Sequence, residues 1–98
     1  MTEIFEEYLR LKFEEIPDEV FPLAKKFFDE NLNESFVLQT RKKIIDAGLN
    51  NWMTPYHFTT GMAIRNGLRD YGVLDDMFPD QNLDDYYVVL IEWWLGQS

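Results

Sequence analysis

Apolar residues recur along this chain at helical spacing, and prolines, glycines and asparagines cut the pattern into short segments. Over residues 3–15, Ile4, Phe5, Tyr8, Leu9, Leu11 and Phe13 form a broad apolar stripe. Thr2 stands where an N-cap belongs, Glu6 and Arg10 make a favourable i,i+4 pair, and Pro17 closes the segment. Residues 18–31 predict a second helix, with Val20, Phe21, Ala24, Phe27 and Phe28 on its inner side. Pro22 suits only its first turns, so the helix is expected to begin near Phe21, and Asn31-Leu32-Asn33 breaks it. Residues 34–47 predict a third, with Phe36, Val37, Thr40, Ile44 and Ile45 to one side. Its basic cluster, Arg41-Lys42-Lys43, falls where the helix dipole favours cations, and Gly48 is a good C′ residue. The run Ser35-Phe36-Val37-Leu38 leaves a strand open as an alternative there.

Residues 54–66 carry the clearest helix signal. Thr54 serves as N-cap, Pro55 takes the first helical position, Met53 and Phe58 have the spacing of a hydrophobic staple, and Gly67 closes the element. His57, Gly61, Ile64 and Leu68 follow one face. A glycine inside a helix costs about 1 kcal/mol relative to alanine. Gly61 is therefore expected where a neighbour comes close, and this helix is expected to be the central one. Residues 71–78 read as a short apolar turn or helix ending at Pro79. Asn82 caps the last helix, with Asp84 and Asp85 at its positive end and Leu83, Tyr86, Tyr87, Leu90, Ile91 and Trp94 inward. The stretch Tyr86–Ile91 would also suit a strand, but length and cap favour helix. The expectation is an all-α fold: one compact domain, 1–98, of about five short helices.

Composition sharpens this picture. Eight Phe, five Tyr and three Trp in 98 residues argue for a packed core rather than disorder. With no cysteine, disulfides and thiolate metal sites are excluded. The acidic N-terminus is no signal peptide, and the longest apolar run is too short to span a bilayer, so a cytoplasmic location is expected. Net charge is −9, which disfavours direct nucleic-acid or membrane binding. From Asp70 to Ser98 there are seven acidic residues and no Lys or Arg. The basic cluster could pair with this acidic third, but solvated faces are the better expectation, since exposed ion pairs contribute little.

Candidate chemistry is sparse. His57 is the sole histidine and has no nucleophile or second metal ligand arranged with it in sequence, so capping or packing is the expected role. Arg65 lies about 12 Å along a straight helix from His57 and shares its side. Asp84 or Asp85 could hold it in a charge-assisted pair that ties two helices together. The acidic pairs lack the central Gly and distal Glu of a calcium loop. Trp93 and Trp94 point about 100° apart on a helix, which leaves two alternatives: one of them is partly exposed, or a small core wraps both. The candidate binding residues are thus His57, Arg65, Asn66, Trp93 and Trp94, with no catalytic residue, metal site or cofactor.

The stretch His57-Phe58-x-x-Gly61-Met62-x-Ile64-Arg65-Asn66, then Leu74 and Phe78, then Asp84-Asp85 before a helix ending Trp94-Leu95-Gly96, resembles a family of small uncharacterised bacterial and phage-associated proteins. Members carry a His-Phe-Gly-x-Gly-x-x-x-Arg-Asn core and a later Asp-Asp pair. The likeness covers roughly the C-terminal half; Thr59 stands where Gly is usual, and the aromatic after Arg-Asn is missing. The resemblance implies a helical fold and a shared core, and carries over no catalytic residue.

Charge, size, spare aromatics and the lack of a reactive constellation point to a non-enzymatic protein-interaction module whose partner has a basic surface. One alternative is a phage-type inhibitor that mimics nucleic acid with carboxylates along an open face. Another is a small ligand-binding protein or enzyme using His57 and Arg65. A homodimer or accessory-subunit role would fit an exposed Trp93 or Trp94.

Overall fold

The last long helix, Tyr87–Gly96, organises the molecule, because it has no polar face to turn outward. Tyr87, Val88, Val89, Leu90, Ile91, Trp94 and Leu95 are all buried, the pattern of a helix surrounded on every side. The structure, a computed structural model, describes residues 10–97. Among these residues run four long α-helices: α1 (Val20–Asn31), α2 (Glu34–Ala47), α3 (Thr60–Asp70) and α4 (Tyr87–Gly96). Short 3-10 turns at Asn51–Tyr56, Asp75–Met77 and Leu83–Asp85 join them. No strand occurs among the described residues, so both strand alternatives resolve as helix. Residues 10–14 are helical too. The expected Thr2 cap, the Glu6–Arg10 pair and the stripe residues Ile4 to Leu9 lie outside the described residues. The fold is one compact all-α domain; its radius of gyration is 12.8 Å, against about 12.6 Å expected for a single domain of this length.

α1 packs against α4 and α3, while α2 lies on the Asn51–Tyr56 turn. Within α1, Val20, Ala24, Phe27 and Phe28 form the buried face, as their spacing predicts, and Pro22 sits harmlessly in the first turn. α2 has the expected limits. Asn33 Oδ1 accepts the Phe36 N–H at 2.9 Å, and Gly48, with φ +90°, donates to the Ile44 carbonyl. Its inner face differs from the expected one in one residue. Thr40 is buried and Phe36, Val37 and Ile44 half-buried, but Ile45 is 81% exposed. Ile45 lies five residues beyond Thr40, about 140° round the helix, and so faces away.

The element expected at 54–66 is corrected by the structure. Asn51–Tyr56 is a 3-10 turn with Pro55 inside it, residues 57–59 form a turn, and the α-helix begins only at Thr60. The Tyr56 carbonyl accepts bonds from both the Thr59 N–H and its hydroxyl, which pins the break. Thr54 is therefore no N-cap, and Phe58 is left 77% exposed rather than stapled. Nor does Gly67 end the helix. It sits inside α3 where an added Cβ would strike the Phe27 ring. The end comes at Gly72, φ +97°, in a Schellman arrangement. Val73 N–H bonds the Leu68 carbonyl at 3.0 Å and Gly72 N–H the Arg69 carbonyl at 3.1 Å, while Leu68 and Val73 are both fully buried. α3 presents one inner stripe, Gly61, Ile64, Arg65 and Leu68, and is thus peripheral to α4 rather than central.

Candidate functional site

Three elements bring their termini and turns together beside α4. The turn after Asn51–Tyr56 carries His57, the middle of α3 carries Arg65, and the Leu83–Asp85 turn carries Asp84. Asn82 fixes that last turn by accepting the Asp84 N–H at 3.1 Å. Tyr87, the first residue of α4, completes the group. Its hydroxyl lies 2.8 Å from His57 Nδ1. Gly61 allows this, because the Tyr87 hydroxyl occupies the space where a side chain would begin.

Arg65 is 5% exposed and binds three groups. Its Nε meets Asp84 Oδ1 at 3.0 Å. One terminal nitrogen lies 3.0 Å from His57 Nδ1 and 3.3 Å from Nε2, so it sits against the ring rather than on one lone pair. The guanidinium carbon stands 4.9 Å from the Tyr87 ring centroid. Arg65 is thus the tether between α3 and the turn before α4 that its place on the apolar stripe predicts.

A second arginine extends the network. Arg69 grips Asp75 with Nε at 3.0 Å and a terminal nitrogen at 3.2 Å, and reaches Asp84 at 3.4 Å. Asn66 is exposed and accepts from Arg69 at 3.1 Å, so it props the network from outside. Arg69 holds the Asp75 carboxyl below the usual carboxylate range, and the Leu83 N–H, donated to Asp75 at 2.8 Å, adds to this. Burial pushes the Tyr87 hydroxyl up, against the opposing pull of Arg65. Nearby, a hydrogen bond between Asp80 and Asp85 holds Asp80 low and Asp85 high.

Beside this network opens a cleft of about 300 Å³. His57, Asp84 and Tyr87 line it with Asn50 and Thr54, the buried Met53 and Val88 close its apolar side, and the exposed Phe58 flanks it. The Phe58 ring meets His57 edge to face at 4.9 Å. His57 Nδ1 meets both the Tyr87 hydroxyl and an Arg65 terminal nitrogen, which fixes the ring at the edge of the cleft. Among the described residues no group of three or more His, Asp or Glu side chains could hold a metal ion.

Trp93 and Trp94 do not join this group. They lie at the far end of α4, about 10 Å from Tyr87 along the axis. Trp94 is buried and donates to Asp29 at 2.8 Å, and the half-buried Trp93 packs on Phe21 at 4.9 Å. Both anchor α4 to α1. The sequence reading missed Arg69, Asp75 and the role of Tyr87. One signal was available: Arg69 follows Arg65 by four residues and so shares its face.

A second surface lies on α2 and the turn that follows it. Leu38 is 67% exposed, Ile45 81% and Leu49 40%, although α2 buries only Thr40 fully. The basic cluster beside them is partly absorbed. Arg41 donates to the Leu95 carbonyl at 2.9 Å, and Lys43 lies 4.1 Å over the Tyr56 ring. Where this face meets α4, the half-buried Glu92 accepts from Asn50 N–H at 2.7 Å and Trp52 Nε1 at 2.8 Å. Burial raises its carboxyl above the ordinary value, although both bonds oppose this.

No helix among the described residues is long and apolar enough to cross a membrane. No family model, no curated protein and no solved structure matches this chain. The functional reading rests on the geometry.

Proposed function

We propose that this chain is a non-enzymatic protein-interaction module of the cytosol, and that its partner seats on the outer face of α2. The observation that carries this is the exposure of Leu38 and Ile45, at 67% and 81%. They stand two helical turns apart on a helix that has one fully buried residue. Large apolar side chains aligned in this way and rimmed by charge are what a docking partner buries. Net charge of −9 suits a partner with a basic surface.

Mimicry of nucleic acid is less well supported. Asp75 and Asp84 are engaged by Arg69 and Arg65, which takes two carboxylates of the acidic third out of any open row. Ligand binding by His57 and Arg65 has a specific observation behind it, the cleft, but Arg65 does not line that cleft.

The test compares the wild type with a Leu38→Ser/Ile45→Ser variant in pull-downs from the native host, alongside sedimentation. The variant is expected to keep its melting temperature and lose a partner that the wild type retains and that added salt weakens. Self-association abolished by the same variant would identify the partner as a second copy. Identical capture by both proteins, or capture of nothing by either, overturns the proposal.

A further inference from the structure

We propose that the cleft beside His57 is a receptor for one arginine side chain of the partner. This rests on the reading of the chain as an interaction module, and gives its partner a specific chemistry. The cleft, at about 300 Å³, has room for a single long side chain; it is at the small end of the range for small-molecule sites.

The charge lining the cleft belongs to Asp84, because Arg65 is buried beneath and Arg69 is not among the lining residues. Both arginines take Oδ1 of Asp84. Among the described residues none donates to Oδ2, and the Asp84 side chain keeps 39% of its exposure. Asp84 gives Oδ1 to two guanidiniums, and the remaining oxygen of this half-exposed, cleft-lining side chain is the acceptor that a further cation would share.

The other lining groups choose the kind of cation. Asn50 and Thr54 add oxygen acceptors to that of Asp84. Phe58 is 77% exposed and its ring stands nearly perpendicular to that of His57, so aromatic surface is open beside the cleft. A guanidinium is flat, carries five N–H donors in a fork and stacks on aromatic faces, whereas an ammonium is a compact and strongly hydrated point. Carboxylate, neutral acceptors and an open ring together match arginine. The cleft also adjoins the apolar face in the chain: Leu49 ends that face and Asn50 begins the cleft. A single partner can therefore place apolar residues on α2 and an arginine in the cleft.

The experiment uses the intact chain and its sole histidine as the reporter. The His57 ring resonances are followed by NMR during titration with Nα-acetyl-arginine amide, Nα-acetyl-lysine amide, free arginine and inorganic phosphate. The blocked arginine is expected to shift the ring saturably. Blocked lysine should bind at least threefold more weakly, and phosphate should not move the ring. Phe58→Ala, at an exposed position, should weaken arginine binding at least threefold with the rest of the spectrum unchanged. Asp84→Asn should abolish it, and Phe58→Ala decides the matter if that variant does not fold. A silent ring, an equal response to phosphate, or indifference to Phe58→Ala overturns the proposal. So does tighter binding of free arginine than of the blocked form, which would make the ligand an amino acid rather than a side chain. A silent ring beside a partner lost in the Leu38→Ser/Ile45→Ser variant would remove the arginine receptor and leave the interaction module standing.

Discussion

Replacing Arg65 by alanine removes the tether between α3 and the turn that leads into α4. The loss has three parts. The ion pair with Asp84 at 3.0 Å is a charge-assisted bond, worth about 1.5–3 kcal/mol. The stacking on Tyr87 at 4.9 Å adds roughly 0.5–1 kcal/mol. The buried aliphatic stem leaves a void beside Ile64 and Leu68. One feature limits the damage: Asp84 stays 39% exposed and keeps its contact with Arg69 at 3.4 Å, so its charge is rehydrated rather than stranded. The fully buried case, about 3–5 kcal/mol, is therefore an upper bound. The expected cost is about 2–3 kcal/mol, or roughly 8–24 °C in melting temperature for a domain of this size. Urea denaturation followed by fluorescence of the three Trp residues measures it. Arg65→Lys should recover little, because the fork and the stacking are both lost. His57→Ala should cost less than Arg65→Ala, since the histidine is half-buried and holds no charge pair. A change below about 0.5 kcal/mol for Arg65→Ala, or losses from Arg65→Ala and Asp84→Ala that simply add, would refute the tether.

Gly67→Ala should destabilise by about 1–3 kcal/mol, because the Phe27 ring fills the space a methyl would need; a gain of about 1 kcal/mol, normal for Gly→Ala in a helix, would show that the ring moves freely. Glu92→Gln keeps an acceptor for Asn50 and Trp52 but removes a charge that burial disfavours. A carboxyl raised in the folded state contributes stability that is complete below its unfolded value of 4.5 and is lost as pH rises through the folded one. The variant should thus melt higher than wild type at pH 7, and the gap should close as pH falls towards 4.5; a gap that widens on acidification would mean that the two hydrogen bonds outweigh desolvation.

The parts of this fold that short-range chemistry controls were legible in the chain. Pro22 tolerates only a first turn, Asn33 offers an oxygen three residues before an N–H that needs one, and Gly48 accepts a positive φ. Those signals place α1 and α2 almost to the residue. The stripe of Gly61, Ile64 and Leu68 marked the inner face of α3, and its Arg65 pairs with Asp84 in the acidic turn, one of the two partners expected for it. Tertiary structure decided the rest. Thr54 and Pro55 are sound helix-start signals, but the chain must turn at 57–59 to bring His57 onto Tyr87, and the 3-10 geometry of Asn51–Tyr56 results. Gly67 and Gly72 are equally good stop signals in isolation. The Phe27 ring needs the first as a gap, and the left-handed φ falls on the second. Whether Ile45 lies inside or outside depends on what α2 packs against, since about 100° per residue leaves neighbours on different faces. The candidate site is most dependent of all on the fold. His57, Arg65, Asp84 and Tyr87 come from four separate elements, and only the packing of α3 and α4 brings those elements within hydrogen-bond reach.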